Sequence, residues 1–167
     1  MDCFGNIPFL TVVSSEPAPQ ATRQEVYNFI ESELLEIEST MSAPMTGTYG
    51  RADQAAAWML LARLYLNAEV YTGTAQWQKA AEYAQKIMNS AYKLHTQGSH
   101  DAVNNKDWSA YQMLFMGDNG ENGAQCEAIL PLLQDGITTT SWGTSLFLIA
   151  STFKDDMTIV GAATNNV

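Results

Sequence analysis

Basic residues are scarce in this sequence. The chain has 167 residues, and its 8 lysines and arginines face 18 aspartates and glutamates, which gives a formal net charge of −10. Proteins that bind nucleic acid or anionic lipid use lysine and arginine to neutralise phosphates. The charge balance therefore argues against both kinds of partner and favours a neutral or cationic one.

Cysteines and long apolar runs are also scarce. Cys3 and Cys126 are too far apart for a metal-ligand motif or a CxxC redox motif, so we expect two isolated thiols, with a disulfide as the alternative. No stretch reaches the roughly 18 apolar residues of a membrane-spanning helix. The start, "MDCFGNIPFL", lacks the basic and continuous apolar regions of a signal peptide.

Catalytic and metal-binding signatures are missing. The chain contains no GxSxG, HExxH, P-loop or GxGxxG motif. "DNGENG" at 118–123 starts like a calcium loop, but Ile129 stands where an EF-hand requires glutamate. His95 and His100 are five residues apart, which does not suit a helical zinc pair, and we expect both in exposed loops. The sequence predicts no enzyme, no metal and no cofactor.

The first helix is predicted after a lead-in of extended chain and loop at 1–21. Thr22 and Glu25 have the spacing of a capping box. Apolar residues then recur at helical spacing and predict a buried face of Val26, Ile30, Leu34 and Ile37. We expect the glutamates of this helix on its solvated side: Glu31, Glu33, Glu36 and Glu38.

An alanine-rich segment at 50–94 carries the strongest helical pattern. It predicts a second helix from Gly50 or Arg51 to about Val70 and a third from about Gln76 to Ala91. One stripe of the second helix consists of Ala57, Leu61, Leu64 and Ala68, and the aromatics expected in the core are Trp58, Tyr65, Trp77 and Tyr83. Arg51, at a helix start, should need an acidic partner.

The remaining chain, 95–167, is predicted to be a long, irregular, loop-rich part. "HTQGSHDAVNNKDW" and "MGDNGENGAQ" read as loops, and "SAYQMLFM" as a short helix between them. The predicted fold class is therefore mostly α, with tetratricopeptide-like helical hairpins at 22–94 followed by this irregular part.

Residues 49–94 resemble the signature segment of the SusD/RagB family, glycan-binding outer-membrane lipoproteins of Bacteroidetes. The similar features are Tyr49-Gly50-Arg51-Ala52, "MLLARLYLNAEVYTG", Trp77 with "KAAEYAQKIMNS", and Tyr92-Lys93-Leu94. "FGNIPFL", "QEVYNFIESELLEIE" and "NGAQCEAILPLLQD" extend the resemblance over roughly 4–145. Family members are several hundred residues long and carry a lipid anchor, so the resemblance implies an internal fragment or truncated member without that anchor.

The resemblance implies non-catalytic binding of an oligosaccharide at the cell-surface side of the outer membrane. It also implies delivery of that sugar to a SusC-like TonB-dependent transporter. Aromatic rings would stack on the C–H face of a sugar. The candidate ligand-binding residues lie in or beside polar loops of the third part: Trp142, Trp108, Tyr111 and Asn119.

A helical scaffold that binds protein and no sugar is the alternative function. A sugar-binding chain should show solvent-facing rings at 105–145. A protein scaffold should show an apolar groove on the helical hairpin instead.

Overall fold

The computed structural model describes residues 3–133, and they are mostly helical, as predicted. Up to Pro131 they belong to one compact unit. Its helices are α1 (Arg23–Glu38), α2 (Gln54–Leu66), α3 (Ala68–Thr72), α4 (Trp77–Met88) and α5 (Ala110–Met113). Its strands are β1 (Ile7–Pro8), β2 (Gln20–Ala21), β3 (Ser99–Asp101) and β4 (Lys106–Trp108), and a 3-10 turn covers Ala124–Cys126. None of the helices in this part of the chain is long and apolar enough to cross a membrane.

Helix α1 begins with the predicted capping box. The Glu25 N–H donates to Thr22 Oγ1 at 3.2 Å, and the Thr22 N–H donates to Glu25 Oε2 at 2.7 Å. These two bonds satisfy backbone donors that the first turn of a helix otherwise leaves open. The helix therefore starts where the local sequence predicts.

Three of the four residues predicted on the buried face of α1 are in place, since Val26 and Leu34 are buried and Ile30 packs against the core. Tyr27 and Leu34 belong to the core, whereas Ile37, expected there, is 41% exposed. Of the glutamates expected mostly on the solvated side, Glu33 and Glu36 are exposed, whereas Glu31 and Glu38 continue the Tyr27–Leu34 face and are only partly exposed.

Helix α2 starts later than predicted and is shorter. Asp53 is its N-cap, and the Ala55 N–H donates to Asp53 Oδ1 at 2.9 Å. Its C-cap is Asn67, whose backbone leaves helical geometry and whose side chain donates to the Arg63 carbonyl at 2.9 Å. A separate helix, α3, follows and ends at Gly73, which adopts the left-handed conformation that favours glycine.

The core forms where α1, α2 and α4 meet. The predicted stripe of α2 is buried as expected, with Leu61 fully inaccessible to solvent; its members are Ala57, Leu61, Leu64 and Ala68. On α4 the core residue is Ala80, whose small side chain permits close approach of the two helices. Tyr65 lies in the core, and Tyr83 packs against it.

Trp77 does not enter this core, contrary to the prediction. It is the first residue of α4 and is 63% exposed, and Met88 at the other end is 75% exposed. The face of α4 that meets the core carries Ala80 and Tyr83 instead. Trp58 is half-buried, because its indole reaches a carboxylate of α1.

Two carboxylates of α1 join the three long helices. In the Glu31 cluster, Glu31 Oε1 accepts from the Tyr65 hydroxyl at 2.8 Å and from Lys79 Nζ at 3.1 Å. Tyr65 comes from α2 and Lys79 from α4, so a single oxygen links all three helices. Burial, together with the neighbouring Glu31, raises the pKa of Tyr65. The hydroxyl therefore remains a donor at neutral pH.

The Glu38 cluster repeats this arrangement two helical turns later. Glu38 Oε1 accepts from Trp58 Nε1 and from Lys86 Nζ, each at 2.7 Å, and Glu38 Oε2 accepts from the Tyr83 hydroxyl at 3.2 Å. Burial raises the pKa of Glu38, but the bonds from Lys86, Trp58 and Tyr83 outweigh it and leave the pKa below its usual value. The partners on each helix are seven residues apart, so the two clusters fix the register of α1 against α2 and α4.

Residues 99–108 form a hairpin, although the sequence predicted a loop. β3 and β4 pair antiparallel, with Ser99 opposite Trp108. Asp101 shapes the turn by accepting from the Val103 and Asn104 N–H groups. Gly98 lies so close to the second strand that an added Cβ would come within 2.4 Å of the Trp108 carbonyl oxygen, so only glycine fits. α5 follows directly and confirms the predicted short helix.

Candidate functional site

A cleft of about 890 Å³ lies beside the start of α2. Three parts of the chain enclose it: the connection from α1 to α2, Tyr92, and the segment around 125–131. Its volume falls within the range of about 300–1,000 Å³ that is typical of ligand pockets.

The floor of the cleft is built on a buried carboxylate. Asp53 is 3% exposed and its Oδ2 accepts from the Met45 N–H and from the Tyr92 hydroxyl, each at 2.8 Å. Its Oδ1 accepts from the Ala55 N–H, so every oxygen of this carboxylate is used. Burial and the hydrogen bond to Asp53 raise the pKa of Tyr92, which keeps this hydroxyl protonated at neutral pH. The floor is therefore rigid and already satisfied.

The walls of the cleft carry polar groups that are still free to bind. Among residues 3–133, no hydrogen-bond partner is found for the side-chain hydroxyls of Ser42, Thr48 and Tyr49, the Arg51 guanidinium or the Gln125 amide nitrogen. Arg51 does not stand at a helix start, contrary to the prediction. α2 begins three residues after it, and no acidic side chain in the described part of the chain pairs with it.

The predicted ligand-binding residues of the hairpin and α5 differ in exposure. Tyr111 is 70% exposed and meets Phe115, 73% exposed, edge-to-face with ring centroids 5.1 Å apart. Trp108 is half-buried, and Lys106 Nζ lies 3.8 Å from its ring centroid. The open aromatic surface of this region is therefore formed by Tyr111 and Phe115.

Asn119 lies in the loop that follows α5. It is exposed, and its amide nitrogen donates to the Leu114 carbonyl at 2.8 Å, which leaves its Oδ1 as the group that faces solvent. The same loop touches the cleft, because an added Cβ on Gly120 would lie 3.1 Å from Tyr49 Cε1. Trp142, the remaining predicted residue, lies outside the described residues.

The histidines and cysteines do not form a metal site in the described part of the chain, where no group of three or more histidine, cysteine, aspartate or glutamate side chains could hold an ion. His95 is half-buried, contrary to the prediction, and its N–H donates to Glu127 Oε2 at 2.8 Å. His100 is exposed and pairs with Asp107 at 2.7 Å. Cys3 and Cys126 are free thiols, as expected.

No protein-family model matches the sequence. The chain is 44% identical over 153 residues to the starch-binding protein SusD of Bacteroides thetaiotaomicron, and the aligned part is 91% of this chain. The chain is therefore similar to SusD over most of its own length. The chain spans about a quarter (25%) of the length of this relative.

This relationship bears on the prediction that the chain is not an enzyme. The relative is named for binding and not for a reaction, which supports that prediction. In the SusD-like chain, sequence reasoning missed the cleft. The available signal is the Tyr49-Gly50-Arg51 sequence within the signature segment.

Proposed function

We propose that this SusD-like chain belongs to a protein that captures an oligosaccharide without catalysis. The observation that carries the proposal is the 44% identity to a protein named for binding starch. A neutral sugar needs no basic patch, so a net charge of −10 is compatible with it.

The sugar contacts are proposed to come from the part after residue 95. Trp142 is the principal stacking residue in this proposal, with Tyr111, Trp108 and Asn119 beside it. The solvent-facing ring of Tyr111 supports the proposal, since a flat exposed ring can cover the apolar face of a sugar. The free Oδ1 of Asn119 can accept a hydrogen bond from a sugar hydroxyl.

The proposed setting is the cell-surface side of the outer membrane. There the protein would be held by a lipid anchor and would pass its sugar to a SusC-like TonB-dependent transporter. The helices at 22–94 would serve as a tetratricopeptide-like scaffold, the lead-in at 1–21 would precede it, and 95–167 would form the ligand-binding part.

A protein-binding scaffold is the second candidate function, and one feature favours it. Met59, Leu66 and Val70 follow each other at spacings of seven and four on α2 and α3, and each is at least 38% exposed. Exposed apolar side chains at helical spacing are typical of surfaces that bind protein.

The test is a titration of tryptophan fluorescence with a panel of neutral oligosaccharides. We expect a saturable change in the wild-type chain that is lost in Trp142→Ala. Trp77→Ala is the matched control, because Trp77 is exposed on the scaffold and should leave the response intact. If no oligosaccharide produces a response from chain shown to be folded by circular dichroism, the proposal of sugar capture is wrong and the scaffold function is favoured.

A further inference from the structure

We propose that the cleft beside α2 is a second carbohydrate site, separate from the aromatic residues after position 95. This inference rests on the proposed function, because it names a further place where the same class of ligand binds. Its ligand is a neutral oligosaccharide, held by Tyr49, Arg51 and Gln125.

The first argument is the contrast between the floor and the walls of the cleft. On the floor, Asp53 and Tyr92 bond to each other and to the backbone, so they need no ligand. On the walls, Tyr49, Arg51 and Gln125 carry polar atoms without a hydrogen-bond partner among residues 3–133. A rigid base with free donors above it is the arrangement of a preformed polar binding site.

The second argument is the chemistry of those free groups. Hydroxyl, guanidinium and amide groups together offer both donors and acceptors, which is what a chain of sugar hydroxyls requires. The Tyr49 ring is 39% exposed and supplies a flat apolar surface for the C–H face of one sugar ring.

The third argument selects a neutral ligand over an anionic one. Arg51 is the only cation that lines the cleft within the described residues, and the carboxylate of Asp53 lines the same cleft. The whole chain carries a net charge of −10. A polyanionic sugar would meet more repulsion than attraction, whereas a neutral sugar is not affected.

The cleft is also placed to extend the site after position 95. Tyr49 packs against Gly120 in the loop that carries Asn119. A linear oligosaccharide lying in the cleft would therefore run toward that loop. The two sites can bind one long oligosaccharide together or two separate oligosaccharides.

The test uses the full chain, labelled with ¹⁵N and titrated with maltoheptaose, with cellohexaose as a second probe. Tryptophan fluorescence is unsuitable here because no tryptophan among residues 3–133 lines the cleft. We expect amide signals of Tyr49, Arg51, Asp53 and Gln125 to shift in a saturable way. Arg51→Ala should weaken that response roughly three- to tenfold, the effect of losing one or two hydrogen bonds to the ligand.

Two controls make the result specific. Arg63→Ala removes an exposed arginine of α2 that does not line the cleft, and it should leave the response unchanged. Trp142→Ala should abolish the response of the other site while the cleft signals still shift. Tyr49→Ala is the second cleft variant and should weaken the same signals.

The outcomes separate this inference from the proposed function. If a sugar binds but the cleft signals do not shift, or if Arg51→Ala and Tyr49→Ala bind as the wild type does, the second site does not exist and sugar capture stands. If neither sugar shifts any signal of the folded chain, both proposals are wrong.

Discussion

Glu38→Ala tests whether the Glu38 cluster stabilises the helical unit. The variant removes three hydrogen bonds, from Trp58, Tyr83 and Lys86, that join α1 to α2 and α4. Lys86 is 41% exposed, so its ion pair should contribute only about 0.5 kcal/mol. The Trp58 and Tyr83 donors are partly buried, and their bonds to a charged acceptor contribute about 1–2 kcal/mol each.

The expected total loss is about 2.5–4.5 kcal/mol in the free energy of unfolding. For a chain of this size the melting temperature should fall by roughly 5–15 °C. The assay is urea and thermal unfolding followed by circular dichroism. Glu36→Ala is the matched control, since Glu36 is an exposed glutamate of the same helix and should change stability by no more than about 0.5 kcal/mol.

The pH dependence of the stability provides a second test of the Glu38 cluster. The pKa of Glu38 is lowered in the folded protein from its ordinary value of 4.5, so its contribution is present above that value and is lost as the pH falls through the folded pKa. The difference between wild type and Glu38→Gln should therefore shrink below about pH 4.5. Equal unfolding curves for Glu38→Ala and Glu36→Ala at pH 7 would refute the reasoning.

Two further predictions concern the core and the floor of the cleft. Leu61→Ala should reduce the free energy of unfolding by about 2–5 kcal/mol, because Leu61 is fully buried and its loss leaves a cavity. Leu60→Ala is the control: the neighbouring Leu60 is half-exposed, so this variant should lose much less stability in the same urea titration. Tyr92→Phe should cost about 1–2 kcal/mol, since it leaves the buried Asp53 carboxylate without one of its three donors. If Tyr92→Phe is as stable as wild type in urea, the bond does not stabilise the floor.

The sequence predicted those parts of the fold that depend on neighbouring residues. The capping box at Thr22 and Glu25 and the stripe containing Leu61 are both present, because each depends on contacts within a few residues or on the regular helical repeat. α1 shows the limit of that reasoning. Val26, Ile30 and Leu34 are placed as their spacing predicts, but in the last turn Glu38 points inward where apolar character selects Ile37.

Whether Ile37 or Glu38 points inward depends on residues far along the chain. Glu38 turns inward because Trp58 and Lys86, 20 and 48 positions away, provide donors for its carboxylate. Nothing in the local sequence of α1 encodes those partners. Trp77 is exposed for a similar reason. Helical spacing shows that Trp77 lies on the apolar face of α4, but it does not show which part of that face a neighbouring helix covers.

The candidate site was predictable only in part. The exposed ring of Tyr111 could be expected from its position beside polar loops. The cleft could not, because its lining comes from three separate segments that meet only in the folded chain. Arg51 illustrates the difference: a helix starting at Gly50 would need to neutralise it, but the true start at Gln54 leaves it free.

Asp53 couples the helix start to the cleft. One carboxylate holds the first turn of α2 through Ala55, the preceding loop through Met45, and a distant segment through Tyr92. Releasing any one of these contacts leaves a buried charge short of donors, so fluctuations of the three segments are cooperative rather than independent. The cleft is thus protected from local opening to the same degree as the first turn of α2, and its shape lasts as long as that turn remains folded.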